Sequence, residues 1–351
     1  MKNKRRVPPF LIILCIAASP FLLIFLVDEE ARRGVAPEIQ GIQAWINSKP
    51  LSINELKGKV VLVDFWTYSC INCLRTIPYL NAWHDKYGEK GLVIIGVHTP
   101  EFNFEKASER VKTAVNDLRI RYPVALDNEK KTWKAYSNTY WPHKYLIDAG
   151  GNIRFEQIGE GGYKETEDMI RNVLLEAHYQ LDETKTQVFV EPVEHKRIQT
   201  PEIYIGSHRN QFLGNPRGLR VGGKGEFKEP ESIGDNLFYL VGLWAVKDDF
   251  ARFEGHQAGK LILNYTAKSV NMVAGAPGGK VLVEVLLDDE PLDPQEAGED
   301  IHFDSENRSW LSVGEGRLYS LIHNRRDGYG KHTLTIKVDR KGLEAYTFTF
   351  G

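Results

Sequence analysis

Cysteine is scarce in this chain of 351 residues: three occur, and Cys15 sits within an apolar N-terminal run, so Cys70 and Cys73 are the whole thiol inventory of the remainder. That excludes a fold stapled by several disulfides. Basic charge in excess is also missing, because 45 Lys and Arg against 47 Asp and Glu leave a formal charge of −2. No cationic surplus is available for nucleic acid. Around Cys70 and Cys73 there is no second Cys-x-x-Cys and no His-x-x-x-His pair, so the four ligands of a structural zinc are not at hand. Internal repeats and low-complexity tracts are absent. What remains is ordinary globular material, 42% hydrophobic and 26% charged, long enough for two folded units with cores of their own.

The N-terminus carries Lys2, Lys4, Arg5 and Arg6 ahead of Val7 to Val27, which holds no charged residue. As a helix rising about 1.5 Å per residue, that run spans roughly 30 Å, the thickness of a hydrocarbon core. Four basic residues precede it and only Arg32 and Arg33 follow closely. The positive-inside rule therefore predicts a single-pass anchor in a bacterial inner membrane, with the rest in the periplasm or on the outer face. A cleaved signal peptide is the competing reading, but Ala17-Ala18-Ser19 is followed by Pro20 and further apolar sequence.

Lys59 to Trp66, rich in β-branched and aromatic residues, reads as a buried strand. Beyond Cys73, Leu74, Ile77, Leu80, Trp83 and Tyr87 fall at helical spacing, which puts Cys70 at a helix N-terminus. Strands are predicted at Leu92 to Thr99, Tyr122 to Leu126, His143 to Asp148 and Asn152 to Ile158, and helices at Phe104 to Leu118, near Trp133 to Tyr136 and at Thr166 to Leu181. This alternation is α/β. After Asp182 to Thr200 the texture changes: strands at Leu237 to Val246, Lys260 to Ala267, Lys280 to Leu287, Arg317 to Ile322 and Thr333 to Asp339 lie between Gly, Pro, Asp and Asn turns, without a long helical period. An all-β sandwich, jelly-roll-like, is expected there. The predicted organisation is a cytoplasmic tip and anchor over 1–33, an α/β domain over 34–182, a linker over 183–199 and the β domain over 200–351.

Two cysteines separated by two residues at a helix start can close a small disulfide ring, and the helix dipole stabilises a thiolate on the first. Cys70 is thus the expected attacking thiol, and Cys73, one turn further in, the resolving one. Val63-Asp64-Phe65-Trp66 ahead of Cys70-Ile71-Asn72-Cys73, Pro78 beyond them, and Trp141-Pro142 before a late strand resemble the thioredoxin superfamily over roughly Ala36 to Leu181. Phe65 to Arg75, Gly96-Val97-His98-Thr99-Pro100-Glu101-Phe102 and Tyr140-Trp141-Pro142 are similar to TlpA-like proteins of the DipZ type, whose external part pairs a thioredoxin-like domain with a carbohydrate-binding-module-like β domain.

The resemblance implies extracytoplasmic disulfide exchange with protein thiols and a membrane redox partner, with no cofactor beyond a Cys70–Cys73 disulfide. It places Asp64 as the buried acid that takes the Cys73 proton, Pro142 as a cis-proline, and Trp66 and Trp141 with it along the substrate groove. Many heme-maturation members of the group carry Glu where this chain has Thr76. Glu101 or His98, at a strand's carboxyl end, is the expected substitute acid or base. Two other functions compete. A redoxin-type peroxidase would have Pro-x-x-x-Thr-x-x-Cys, and here Thr67 matches but Val63 stands in the proline place. A surface binding module would use residues 200 to 351, where Trp244, Trp310, Tyr319 and Tyr329 are candidates for stacking on carbohydrate or docking a protein.

Overall fold

A computed structural model describes residues 34–190, 193–216, 223–324 and 328–351. The predicted anchor Val7 to Val27 and Cys15 lie outside the described residues, among which no helix is long and apolar enough to cross a membrane.

The first domain is built on a sheet of β1 (Trp45–Ile46), β2 (Val60–Trp66), β3 (Leu92–His98), β4 (Val124–Leu126), β5 (His143–Ile147) and β6 (Ile153–Ile158), in the order β1-β4-β3-β2-β5-β6. Every residue of β2 is buried, as a central strand covered on both faces requires. Alternation sends Trp66 to one face, against Ile77, Leu80 and Trp83, and Phe65 to the other, edge-on to Trp133, Tyr136 and Tyr145. The helices are α1 (Ile71–Tyr87), α2 (Ser108–Asp117), α3 (Lys131–Ala135) and α4 (Tyr163–Glu176).

Helix α4 starts and stops earlier than its periodicity predicts. Gly162, at φ 60°, opens it, and His178, at φ 65°, turns the chain so that the Tyr179 hydroxyl donates to the Gly58 carbonyl at 2.7 Å. The linker is tied down at its start: Asp182 pairs with Lys86 and Lys90, and Thr186 donates to Glu167. At the other end of the domain, Gly34 and Ala36 bond to the β5–β6 turn through Ile153 and Gly151. That turn lies beside Val61, at the opposite pole of β2 from Cys70.

The second part comprises β7 (Ile203–Tyr204), β8 (Lys224–Phe227), β9 (Phe238–Val246), β10 (Ala251–Phe253), β11 (Gly259–Ala267), β12 (Ser269–Gly275), β13 (Val281–Leu287), β14 (Glu290–Pro291), β15 (Ile301–Phe303), β16 (Ser309–Val313), β17 (Arg317–His323), β18 (Gly330–Val338) and β19 (Glu344–Phe350). All pairings among the described strands here are antiparallel. The expected all-β domain is present, and its two halves join as one continuous sheet because β9 belongs to both: Phe238 to Val241 pair with β11, and the residues from Gly242 onward pair with β8 and β10. Gly242 has φ 89°, and a side chain there would press on Gly259 and Phe253, so the strand can change partners at this position. The halves share one apolar core, including Leu261, Leu263 and Leu334 from one and Val270, Met272 and Phe348 from the other.

The two domains meet over Phe102 and Phe104, whose rings lie 5.0 and 4.9 Å from that of Tyr346 in edge contact, with Val273 buried beside them. Phe104 also packs on Gly316 so closely that a Cβ there would sit 2.7 Å from the ring.

Candidate active site

Cys70 is the N-cap of α1, and its Sγ accepts the Cys73 backbone N–H at 3.3 Å. Both cysteines are thiols; Cys70 is half-buried, whereas Cys73 is 1% exposed. This is the geometry in which helix-terminal N–H groups and the macrodipole favour a thiolate on the outer sulfur. Burial pushes the Cys73 thiol well up, with the Cys70 sulfur and the Asp64 carboxylate adding to the effect.

Asp64 precedes the cysteines on β2, and it is 1% exposed with Oδ1 unpartnered. Burial raises its pKa to about 7, against a smaller lowering by the Lys144 ammonium. Lys144 occupies the register position opposite Asp64 on antiparallel β5, is also sealed from solvent, and donates to the Gly159 carbonyl at 3.3 Å. Its own pKa is lowered by burial, with Asp64 and Cys73 opposing that. The sequence reading missed Lys144, since nothing local marks a strand lysine as buried.

It also missed Glu105. This carboxylate is fully buried and gathers two loops: it accepts the Ser69 hydroxyl, one residue before Cys70, and the backbone N–H groups of Glu101 at 2.5 Å and Phe102 at 2.9 Å. Burial, then the Glu101 charge, raise it to about 7. A glutamate placed after Phe102-Asn103-Phe104 with a free loop N–H upstream was the available signal.

The remaining predicted residues separate. Trp141 and cis-Pro142 stand at the cysteines, with the Cys70 thiol 3.9 Å from the Trp141 carbonyl and the Trp141 indole donating to the Thr99 carbonyl. Trp66 does not line a groove. It is wholly buried, because alternation along β2 points it into the core. His98 is buried with Nε2 3.3 Å from the Thr67 hydroxyl, and burial drops its pKa to about 3, which keeps the ring neutral. Glu101 turns toward the second domain, accepting from the Tyr204 hydroxyl at 2.9 Å and Arg209 at 2.6 Å. Thr76, in the place of the missing glutamate, is buried and donates to the Asn72 carbonyl.

Cys70 opens on a cleft of about 440 Å³ between the domains, with Ile71, Asn72 and Trp141 on one wall and Thr200, Glu202 and Thr349 on the other. Of the aromatics considered for carbohydrate, Trp244 and Tyr319 are core residues. Trp310 and Tyr329 are covered on one side by Arg308 and Arg197. No group of three or more metal-ligating side chains is gathered among the described residues.

Residues 35–156 match the AhpC/TSA family and residues 200–351 match the thioredoxin-like C-terminal domain family. YkuV of Bacillus subtilis, a thiol-disulfide oxidoreductase, is 30% identical over 40% of this chain and 94% of its own length. ResA of Bacillus thuringiensis, also a thiol-disulfide oxidoreductase, is 30% identical over 42% of this chain and 78% of its own. The chain belongs to the thioredoxin-like thiol-disulfide oxidoreductases. Protein DipZ of Mycobacterium tuberculosis is 37% identical over 91% of this chain, so the similarity runs through both domains. The chain spans 43% of DipZ's length.

Proposed function

We propose that this chain exchanges disulfides with protein partners through Cys70 and Cys73, on the outer side of a membrane to which Val7 to Val27 anchors it. One observation carries the reading: a half-buried N-cap cysteine stands over a buried cysteine whose proton has an equally buried, near-neutral carboxyl beside it. The Cys70 thiolate attacks one sulfur of a partner disulfide, forming a Cys70–partner bond as the other partner sulfur leaves as thiolate. Asp64 then accepts the Cys73 proton, the Cys73 thiolate attacks Cys70, and the partner's second sulfur leaves. Two electrons have passed to the partner, and Cys70–Cys73 is a disulfide. A membrane dithiol protein returns it to thiols by the reverse sequence. The basic residues ahead of Val7 support the anchor and its orientation.

The test uses the chain reduced and freed of reductant, mixed with a peptide disulfide. Two free thiols should appear on peptide for each Cys70–Cys73 disulfide found by mass spectrometry, and Cys70→Ser should abolish both. An inert wild-type chain would sink the proposal.

A further inference from the structure

The cleft at Cys70 is not made by the redox domain alone. Its far wall is the second domain, held in place by one cluster: the Tyr204 hydroxyl and Arg209 both reach Glu101, and the Arg209 guanidinium lies 3.7 Å above the Tyr204 ring. With the Phe102, Phe104 and Tyr346 rings packed behind it, this cluster fixes the spacing of the two walls. About 440 Å³ is room for a small ligand or a few residues of chain. It does not admit a folded partner's face, which needs about 800 Å² per side.

Two features of the far wall ask for a ligand. Thr349, 7% exposed, lines the cleft, and its solvent-shielded hydroxyl has no hydrogen-bond partner, whereas buried polar groups are otherwise nearly always paired. Glu202 is open to solvent on one side and walled by protein on the other. It lies beside the Tyr204 hydroxyl, which donates to Glu101, and Arg209 pairs with Glu101 at 2.6 Å. Glu202 itself forms no ion pair among the described residues. The protein wall on one side and the Glu101 charge raise its pKa above the ordinary carboxylate value, and a neighbouring cation would draw it into the ionised form.

We propose that the second domain supplies half of the substrate site, so that the chain takes a cysteine carried on an extended polypeptide segment threaded between Trp141 and Thr349, with a basic residue beside that cysteine facing Glu202. This rests on the exchange reading above and names its substrate class.

The experiment uses the full chain and three probes that release the same coloured thiol. Two are linear peptides with one cysteine blocked by nitrothiobenzoate, identical except for Lys or Glu beside it; the third is the free symmetrical nitrobenzoate disulfide, used as rate reference. The Lys peptide should react faster than the Glu peptide by up to about fivefold, the upper range for an exposed charge pair. Glu202→Gln should bring that ratio to about one. Thr349→Val, which keeps the shape and removes the hydroxyl, should slow both peptides relative to the reference. A small folded protein with a surface disulfide should lag far behind either peptide. An unchanged peptide ratio in Glu202→Gln, or a folded substrate as fast as the peptides, overturns the proposal. Failure with the reference disulfide as well removes the exchange reading itself.

Discussion

Asp64 and Lys144 stand directly opposite each other on neighbouring antiparallel strands, both sealed from solvent and both close enough to bear on the Cys73 thiol. Burial drives the carboxyl up and the ammonium down, while their mutual attraction works against both shifts. The balance leaves Asp64 near 7, where a proton acceptor serves best at neutral pH.

Asp64→Asn keeps the shape and removes the acceptor. Resolution of a mixed disulfide at neutral pH should slow by roughly 10²-fold, the low end for a general base, while initial attack by Cys70 changes little. Stopped-flow traces separate the two phases; an unaltered second phase assigns Asp64 a purely structural role.

Lys144→Met removes the charge that holds Asp64 down. The rise of the resolving rate with pH, centred near 7 in the wild type, should move to higher pH by about one unit, equivalent to about 1.4 kcal/mol. A pH profile of single-turnover resolution reads this directly, and a midpoint that stays in place shows that the two charges do not communicate.

Stability should fall as pH rises through the same range. Native Asp64 and Glu105 keep their protons to about 7, whereas unfolded carboxyls lose theirs near 4, so between these values the native state binds more protons. The penalty is absent below about pH 4 and complete above 7. Urea unfolding of Asp64→Asn should therefore show a gain of roughly 4 kcal/mol over wild type at pH 8, the carboxyl's net shift already including the attraction to Lys144, and almost none at pH 4.

Cys73→Ala should accumulate a covalent complex through Cys70, because the attacking thiol survives and the resolving one is gone. Cys70→Ala should not, since Cys73 is 1% exposed. Non-reducing gels with a peptide disulfide decide it, and the reverse pattern would exchange the two roles.

Residues 200–351 carry their own apolar core, so that piece alone should unfold cooperatively in urea. Gly316→Ala in the full chain should loosen the domain contact at Phe104 without abolishing either fold. Gradual, non-cooperative melting of the isolated piece would show that the redox domain is needed to complete it.

The strand–cysteine–helix unit was legible because β2 is a continuous apolar run and α1 repeats its buried residues at helical spacing, both local signals. Trp66 misled for a related reason: adjacent to the motif in sequence, it is turned inward by the two-residue period of the strand. Lys144 and Glu105 were invisible because a charged residue's burial is decided by groups that arrive from elsewhere in the chain. Strand β12 escaped because only Lys268 separates it from β11, so no turn residues mark where it starts. The domain contact joins Phe102 and Phe104 to Tyr346, more than 240 residues away, a distance no periodicity spans.

The attachment of Gly34 and Ala36 to the β5–β6 turn puts the start of the described domain at the pole away from the thiol. Cys70 and the tether leave from opposite ends of β2, whose seven residues extend about 20 Å at strand rise. Were Val7 to Val27 to hold the chain at a bilayer, that length would separate its point of attachment from the thiol, and Cys70 would be open to polypeptides arriving from the aqueous side. An electron donor embedded in the same membrane would then need a soluble arm that reaches past the domain to Cys70.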